Sequence, residues 1–177
     1  MTYKDITGWF CHEGFYDMMV EKFPSGLFVE LGSWLGKSAG YLGMKIKQSK
    51  KDIRLDCIDD WKPKFYFRLG LDEGEKTPYE IFKTNMNMLG VKANMIQADV
   101  RNAVRFYEDK SIDFLMIDLV PEDYDLIKEV IDLWTPKVSG VIAGKDYIEK
   151  YPTVRRAVEE SFKEFKTEDG IWWVSLS

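Results

Sequence analysis

Apolar residues along this chain switch between a helical and a strand-like spacing. Phe15, Met18, Met19 and Phe23 recur at helical intervals across residues 8–23, and Pro24 and Gly26 end the pattern, which predicts an N-terminal helix. Residues 27–30 read as a short apolar strand, and a glycine turn leads to a helix over about 37–47 with Ala39, Leu42 and Ile46 on its face. Residues 53–61 read as a second strand ending in acids. Thr77-Pro78-Tyr79-Glu80 is a capping box with proline at the first helical position, and Gly90 closes the helix predicted over 78–89. Residues 94–99 form the next strand and 101–108 a short helix. The run 111–118 is the most apolar of the chain, as suits a central parallel strand. A helix over 121–134, a fifth strand over 138–144 and a helix opening at Pro152, with Val154, Ala157, Val158, Phe162 and Phe165 as its buried stripe, follow. Asp169-Gly170 between two β-rich segments signals a hairpin. The sum is five strand–helix units and a closing antiparallel hairpin, an α/β pattern. Residues 61–76 show no period, and their aromatics interleaved with Lys62, Lys64 and Arg68 suit a substrate-lining loop or an ordinary surface excursion.

The strands end in charge. Glu30, Asp59, Asp99 and Asp118 close the first four, and Lys145-Asp146 follows the fifth. In open α/β sheets ligands sit beyond the carboxyl ends of the strands, so these side chains mark the candidate site. At its centre lies Phe28-Val29-Glu30-Leu31-Gly32-Ser33-Trp34-Leu35-Gly36-Lys37-Ser38. A P-loop places four residues between its glycines, whereas Gly32 and Gly36 enclose three, and the dinucleotide fingerprint G-x-G-x-x-G fails because Trp34 follows Ser33. Glu30 at the mouth would repel phosphate and welcome a cation.

Composition narrows the picture. The chain has 177 residues and is 45% hydrophobic, which fits one domain with a sizeable core. A net charge of −5 argues against a nucleic-acid partner or an anionic membrane surface. Neither a signal-peptide core nor a membrane-length apolar run stands in the sequence, which predicts a cytoplasmic protein. Cys11 and Cys57 are too few for a disulfide framework, and His12, the single histidine, cannot alone build a zinc centre.

A strand ending in an acid and then Gly-x-x-x-Gly resembles the first motif of class I S-adenosylmethionine-dependent methyltransferases. Gly8-Trp9, VELGSWLGKS, CIDDW, ADV, IDFLMID, VSGVIAGKDY and IWWV, in that order, resemble the small-molecule O-methyltransferase group that includes macrocin O-methyltransferase and cephalosporin hydroxylase relatives. The resemblance implies a single doubly wound, seven-stranded, mostly parallel sheet of order 3-2-1-4-5-7-6 with a C-terminal antiparallel hairpin. It implies one methyltransferase domain over 1–177, capped by a helical segment over 1–25. Glu30, Gly32, Ser33, Gly36 and Ser38 would then line the methionine end of S-adenosylmethionine, with Asp118 close by. Asp59 would hold the ribose, Asp99 would meet the adenine amino group and Trp61 would cover the adenine face. Asp118, Lys145 and Asp146 become the catalytic candidates, with His12 outside them. The acceptor implied is a small hydroxylated molecule, a sugar among the options, methylated by in-line attack after Asp118, Asp146 or a Lys145 of lowered pKa removes the proton.

Two departures bear on metal. Lys145 stands where metal-dependent relatives carry a ligand, and the Asp-Gly-x-His-Tyr pattern after strand four is here Asp118-Leu119-Val120-Pro121-Glu122-Asp123-Tyr124, without its histidine. Mg²⁺ is therefore an option the sequence does not favour. The alternatives are an S-adenosylmethionine-binding relative without turnover, and a phosphotransferase prompted by Gly36-Lys37-Ser38.

Overall fold

Seven strands form one sheet in the computed structural model, which describes residues 1–62 and 76–176. They are β1 (Ser25–Leu31), β2 (Asp52–Asp59), β3 (Asn94–Gln97), β4 (Ile112–Ile117), β5 (Val138–Gly144), β6 (Lys166–Glu168) and β7 (Ile171–Ser175). The helices are α1 (Glu13–Lys22), α2 (Lys37–Ser49), α3 (Pro78–Leu89), α4 (Val100–Ala103), α5 (Tyr124–Trp134) and α6 (Pro152–Ser161). Across the sheet the order is β3-β2-β1-β4-β5-β7-β6, parallel throughout except for β7, which runs against both β5 and β6. This is the topology the resemblance implied. The proposed 61–76 loop lies outside the described residues apart from Trp61, Lys62 and Lys76.

Each face of the sheet is covered. Phe15, Tyr16 and Met19 of α1, Ala39 and Leu42 of α2, and Phe82 and Met86 of α3 pack on one face, and Val100 of α4, Ile127, Val130 and Trp134 of α5, and Val154 and Val158 of α6 pack on the other. Strand residues choose a face by parity. Phe28, Leu55, Cys57, Phe114, Met116, Val141 and Ala143 point to the α1–α3 side, whereas Val29, Leu31, Ile58, Leu115, Ile117 and Ile142 point to the other. Glu30, Asp59, Asp118 and Lys145 continue the first parity, so four candidate site residues leave the strand ends on the side that α1 covers.

Expectations shift at the helix ends, and α6 stops at Ser161, so Phe162 and Phe165 pack half-buried from beyond it and not as part of its stripe. Helix α1 starts at Glu13 and not at Gly8, because Phe10 packs its ring against Tyr3, Tyr41, His12 and Tyr16, which holds residues 9–12 in a non-helical path. Its buried stripe is Phe15, Tyr16, Met19 and Val20, and Met18, expected inside, is exposed. Helix α5 starts at Tyr124 because the Asp123 side chain accepts the Leu126 N–H at 3.0 Å, a cap that places the first turn after Pro121.

Candidate functional site

The turn after β1 is built by close approach. The Gly32 N–H donates to the Ile58 carbonyl at 2.8 Å and the Asp118 N–H to the Leu31 carbonyl at 2.9 Å, so the ladder continues past the strands and clamps three loop starts together. Gly32 adopts φ +87°, and a Cβ there would run into the Asp118 carbonyl oxygen. Gly36, at φ +89°, caps α2, and a Cβ there would lie 2.5 Å from Met86 Cε and 2.9 Å from the Phe82 ring. Both glycines are demanded by protein neighbours, one by β4 and one by α3. Ser38 is buried in the first turn of α2.

Asp59 fixes the rim. Its Oδ2 accepts the Trp34 N–H at 2.9 Å and its Oδ1 accepts the Trp61 N–H at 2.8 Å. Both tryptophans have left-handed backbones, φ 40° and 45°, a costly conformation for a large side chain that these bonds help to hold. Burial raises the Asp59 pKa, against the pull of those two N–H donors. Trp61 is itself buried, packed on Tyr79 and Phe82, with its indole N–H donating to the Trp34 carbonyl at 2.6 Å. Asp99 caps α4 and is gripped by Arg101, whose Nε lies 2.9 Å from Oδ1 and whose terminal nitrogen lies 2.7 Å from Oδ2. That guanidinium holds its pKa down at about 2.

Across from the glycine turn, Lys145 Nζ contacts Asp118 Oδ1 at 2.8 Å. Burial is the largest single influence and works against the Lys145 ammonium, yet Asp118, with Asp146 and Cys11 adding to it, leaves the pKa raised. A Lys145 of lowered pKa acting as base is thus replaced by a lysine held in its charged form. Asp118 moves the other way from an exposed acid: burial pushes its carboxyl up to about 7 despite the pull of Lys145, and Glu30 and Asp146 add to the rise. Asp146, at φ 65°, also has its pKa raised by burial. Lys145 thus puts a positive charge 2.8 Å from Asp118 Oδ1, which would oppose a divalent ion there, and among the described residues no three His, Cys, Asp or Glu side chains converge as metal ligands.

The remaining groups lie under α1. Glu30 is fully buried, and its Oε1 accepts the Tyr16 hydroxyl at 2.8 Å. Among the described residues, Glu30 Oε2, Ser33 Oγ and His12 Nε2 are buried and make no well-formed hydrogen bond, although Ser33 acts on the Cys57 thiol as a hydrogen-bond donor. Orphaned buried polar atoms are costly, and three near one strand end fit a ligand that brings its own donors. An acid-rich setting, Glu30, Asp59, Asp118 and Asp146 against Lys145, fits a ligand with positive charge. Tyr16 escaped sequence reasoning, which scored α1 by apolar residues alone; its spacing of four from buried Val20 was the available signal.

His12 is buried against Phe10 and Tyr16, with ring centroids at 4.5 and 4.9 Å. Burial, with Lys145 adding to it, lowers its pKa from 6.5 to about 3. Below pH 6.5 the unfolded chain takes up a proton that the folded chain refuses, so this group makes stability fall as pH drops from 6.5 towards 3. Asp118, with its raised pKa, has the opposite slope between about 4 and 7. His12→Gln is expected to gain about 2 kcal/mol on wild type between pH 7 and pH 5, read from urea denaturation at each pH. An unchanged difference between the two pH values would remove the buried neutral imidazole from the account.

A profile described as a methyltransferase domain matches residues 29–147. No curated protein sequence matches the chain. Among solved structures, it is similar to a protein described as a caffeoyl-CoA O-methyltransferase of Staphylococcus aureus, with a TM-score of 0.66 and 13% identity, covering 97% of this chain and 86% of that one. It is similar to an S-adenosylmethionine-dependent O-methyltransferase of Thermotoga maritima, with a TM-score of 0.62 and 12% identity, covering 96% and 66%. It is also similar to an rRNA methylase of Streptococcus thermophilus, with a TM-score of 0.60 and 12% identity, covering 92% of each chain.

Proposed function

The chain belongs to the methyltransferase-domain family, and on that premise we propose that it methylates a hydroxyl oxygen of a small molecule with S-adenosylmethionine as donor. The observation that carries this reading is the convergence, at the ends of β1, β4 and β5, of Glu30 and Ser33, whose Oε2 and Oγ make no well-formed hydrogen bond among the described residues, and the Asp118–Lys145 pair. S-adenosylmethionine, when bound, supplies a methyl group on a positively charged sulfur. The chain supplies the rest. Glu30 and Ser33 take the amino-acid end, Asp59 holds both the rim loops and the ribose hydroxyls, and Ser38 and Asp118 complete the wall. Asp99 and Trp61 would stand on the adenine side, Asp99 with the one Oδ2 lone pair that Arg101 leaves free.

Holding the acceptor oxygen in line with the methyl can contribute about 7–11 kcal/mol to lowering the barrier. Asp118 is the proton acceptor in this reading, because a base whose pKa lies near the working pH is the most effective. Lys145 holds Asp118 in place and faces the charge that develops on the oxygen. The whole chain, 1–177, acts as one domain, with residues 1–25 roofing the site. A net charge of −5 favours a small acceptor over a nucleic acid. No described helix is long and apolar enough to cross a membrane.

Calorimetry with S-adenosylmethionine tests the reading. Wild type is expected to bind, and Asp59→Ala to bind about ten- to a hundredfold more weakly, the range for losing hydrogen bonds to a charged group. Absence of binding by wild type would sink it. The Lys145 contact at Asp118 supports one second reading, a cofactor-binding relative without turnover. Cofactor affinity with no methyl transfer to any of a panel of hydroxylated acceptors favours that reading.

A further inference from the structure

Tyr16 divides the Glu30 carboxylate in two. Both side chains are fully buried, and the Tyr16 phenol donates to Oε1 at 2.8 Å while Oε2 keeps no partner among the described residues. A buried carboxylate oxygen without a donor is expensive, and a ligand carrying a charged N–H group relieves the cost. We propose that Tyr16 is a positioning residue of the cofactor site: by holding Oε1 it sets the orientation of Glu30 and leaves Oε2 for the ammonium end of S-adenosylmethionine. This rests on the reading above, in which Glu30 meets that end.

The surroundings suit the task. The Tyr16 ring is wedged against Phe10, His12 and Phe114, at centroid distances of 5.6, 4.9 and 6.1 Å, so the phenol has little room to swing away. Burial first, and Glu30 second, raise the phenol pKa well above 10, which keeps it a donor. Helix α1 is itself tied down. Tyr3 donates to Glu13 at 3.0 Å, and Tyr41 of α2 donates to Asp17 at 2.8 Å. Tyr16 lies outside residues 29–147, so a part of the chain beyond the matched span would complete the site.

The test is a double-mutant cycle read as S-adenosylmethionine affinity by calorimetry, with 5′-methylthioadenosine, which lacks the amino-acid portion, as the second probe. Glu30→Gln is expected to weaken S-adenosylmethionine binding at least tenfold and Tyr16→Phe about three- to tenfold. Their combination should be no weaker than Glu30→Gln alone within twofold, because Tyr16 acts through Glu30. Methylthioadenosine should bind wild type and Tyr16→Phe equally. Losses that multiply in the double variant, or a parallel loss of both ligands, mark Tyr16 as a general packing residue and overturn the proposal. No binding by wild type overturns the underlying reading and the proposal together, whereas wild-type binding that Glu30→Gln weakens and Tyr16→Phe leaves within twofold overturns the proposal alone. Should Tyr16→Phe be too unstable to assay, a crystal structure of the wild-type S-adenosylmethionine complex decides: the cofactor ammonium on Glu30 Oε2 with the Tyr16 hydroxyl still on Oε1 supports the proposal, and any other partner on either oxygen overturns it.

Discussion

Asp118→Asn is expected to lower kcat by about 10²- to 10⁴-fold, the range for removing a general base and a larger loss than any it causes in S-adenosylmethionine affinity. The pH profile is the sharper readout. Burial lifts the Asp118 carboxyl to about 7, so wild-type kcat should climb with pH through that value and level off as the carboxylate forms. The variant should lose this limb. Lys145→Met removes the ammonium that lies 2.8 Å from Asp118 and pulls its pKa down, so the limb should move to higher pH by a unit or more. Quenched-flow or mass-spectrometric rates across pH 5–9 decide the matter. A limb that persists in Asp118→Asn would hand the proton to another group, with Asp146 next in line.

What was legible in the sequence was what is local. Pro78–Leu89 is legible to the residue because Thr77, Pro78, Glu80 and Gly90 each signal within four positions, and β5 is legible because glycine and proline bound an apolar run. The strand order came from resemblance, since periodicity carries no information on which strands are neighbours. The acids at the strand ends were visible, and parity places Glu30, Asp59 and Asp118 on one face. Their partners were not visible. The contact with Asp118, 27 positions upstream, raises the pKa of a lysine that burial alone would lower, and only the fold shows which influence wins. Tyr16 meets Glu30 across 14 positions, joining a helix to a strand. The resemblance sets Gly32 and Gly36 along the cofactor, whereas their missing side chains make room for Asp118 and for Met86 and Phe82.

That last point carries the largest expected effect on stability. Gly32→Ala places a methyl against the Asp118 backbone carbonyl at φ +87°, where neither partner is a flexible side-chain end. Left-handed backbone at a non-glycine residue costs about 1–3 kcal/mol by itself, and relieving the overlap must also stretch the bond from the Asp118 N–H to the Leu31 carbonyl. A total on the order of 4 kcal/mol lowers Tm by about 8–16 °C in a chain of this size. Gly14→Ala is the control, because nothing among the described residues lies within 4 Å of the added methyl and the site is inside α1. It should raise stability by about 0.5–1 kcal/mol. Thermal denaturation of the two variants separates local crowding from a general intolerance of alanine. The functional consequence follows from geometry: prising β1 from β4 separates Glu30 from Asp118, so Gly32→Ala should also lose S-adenosylmethionine affinity by about a hundredfold, with Gly14→Ala unchanged. A Gly32→Ala protein that melts within 2 °C of wild type and binds as well would mean that this turn relaxes freely, and the clamp between the two strands would not be what shapes the site.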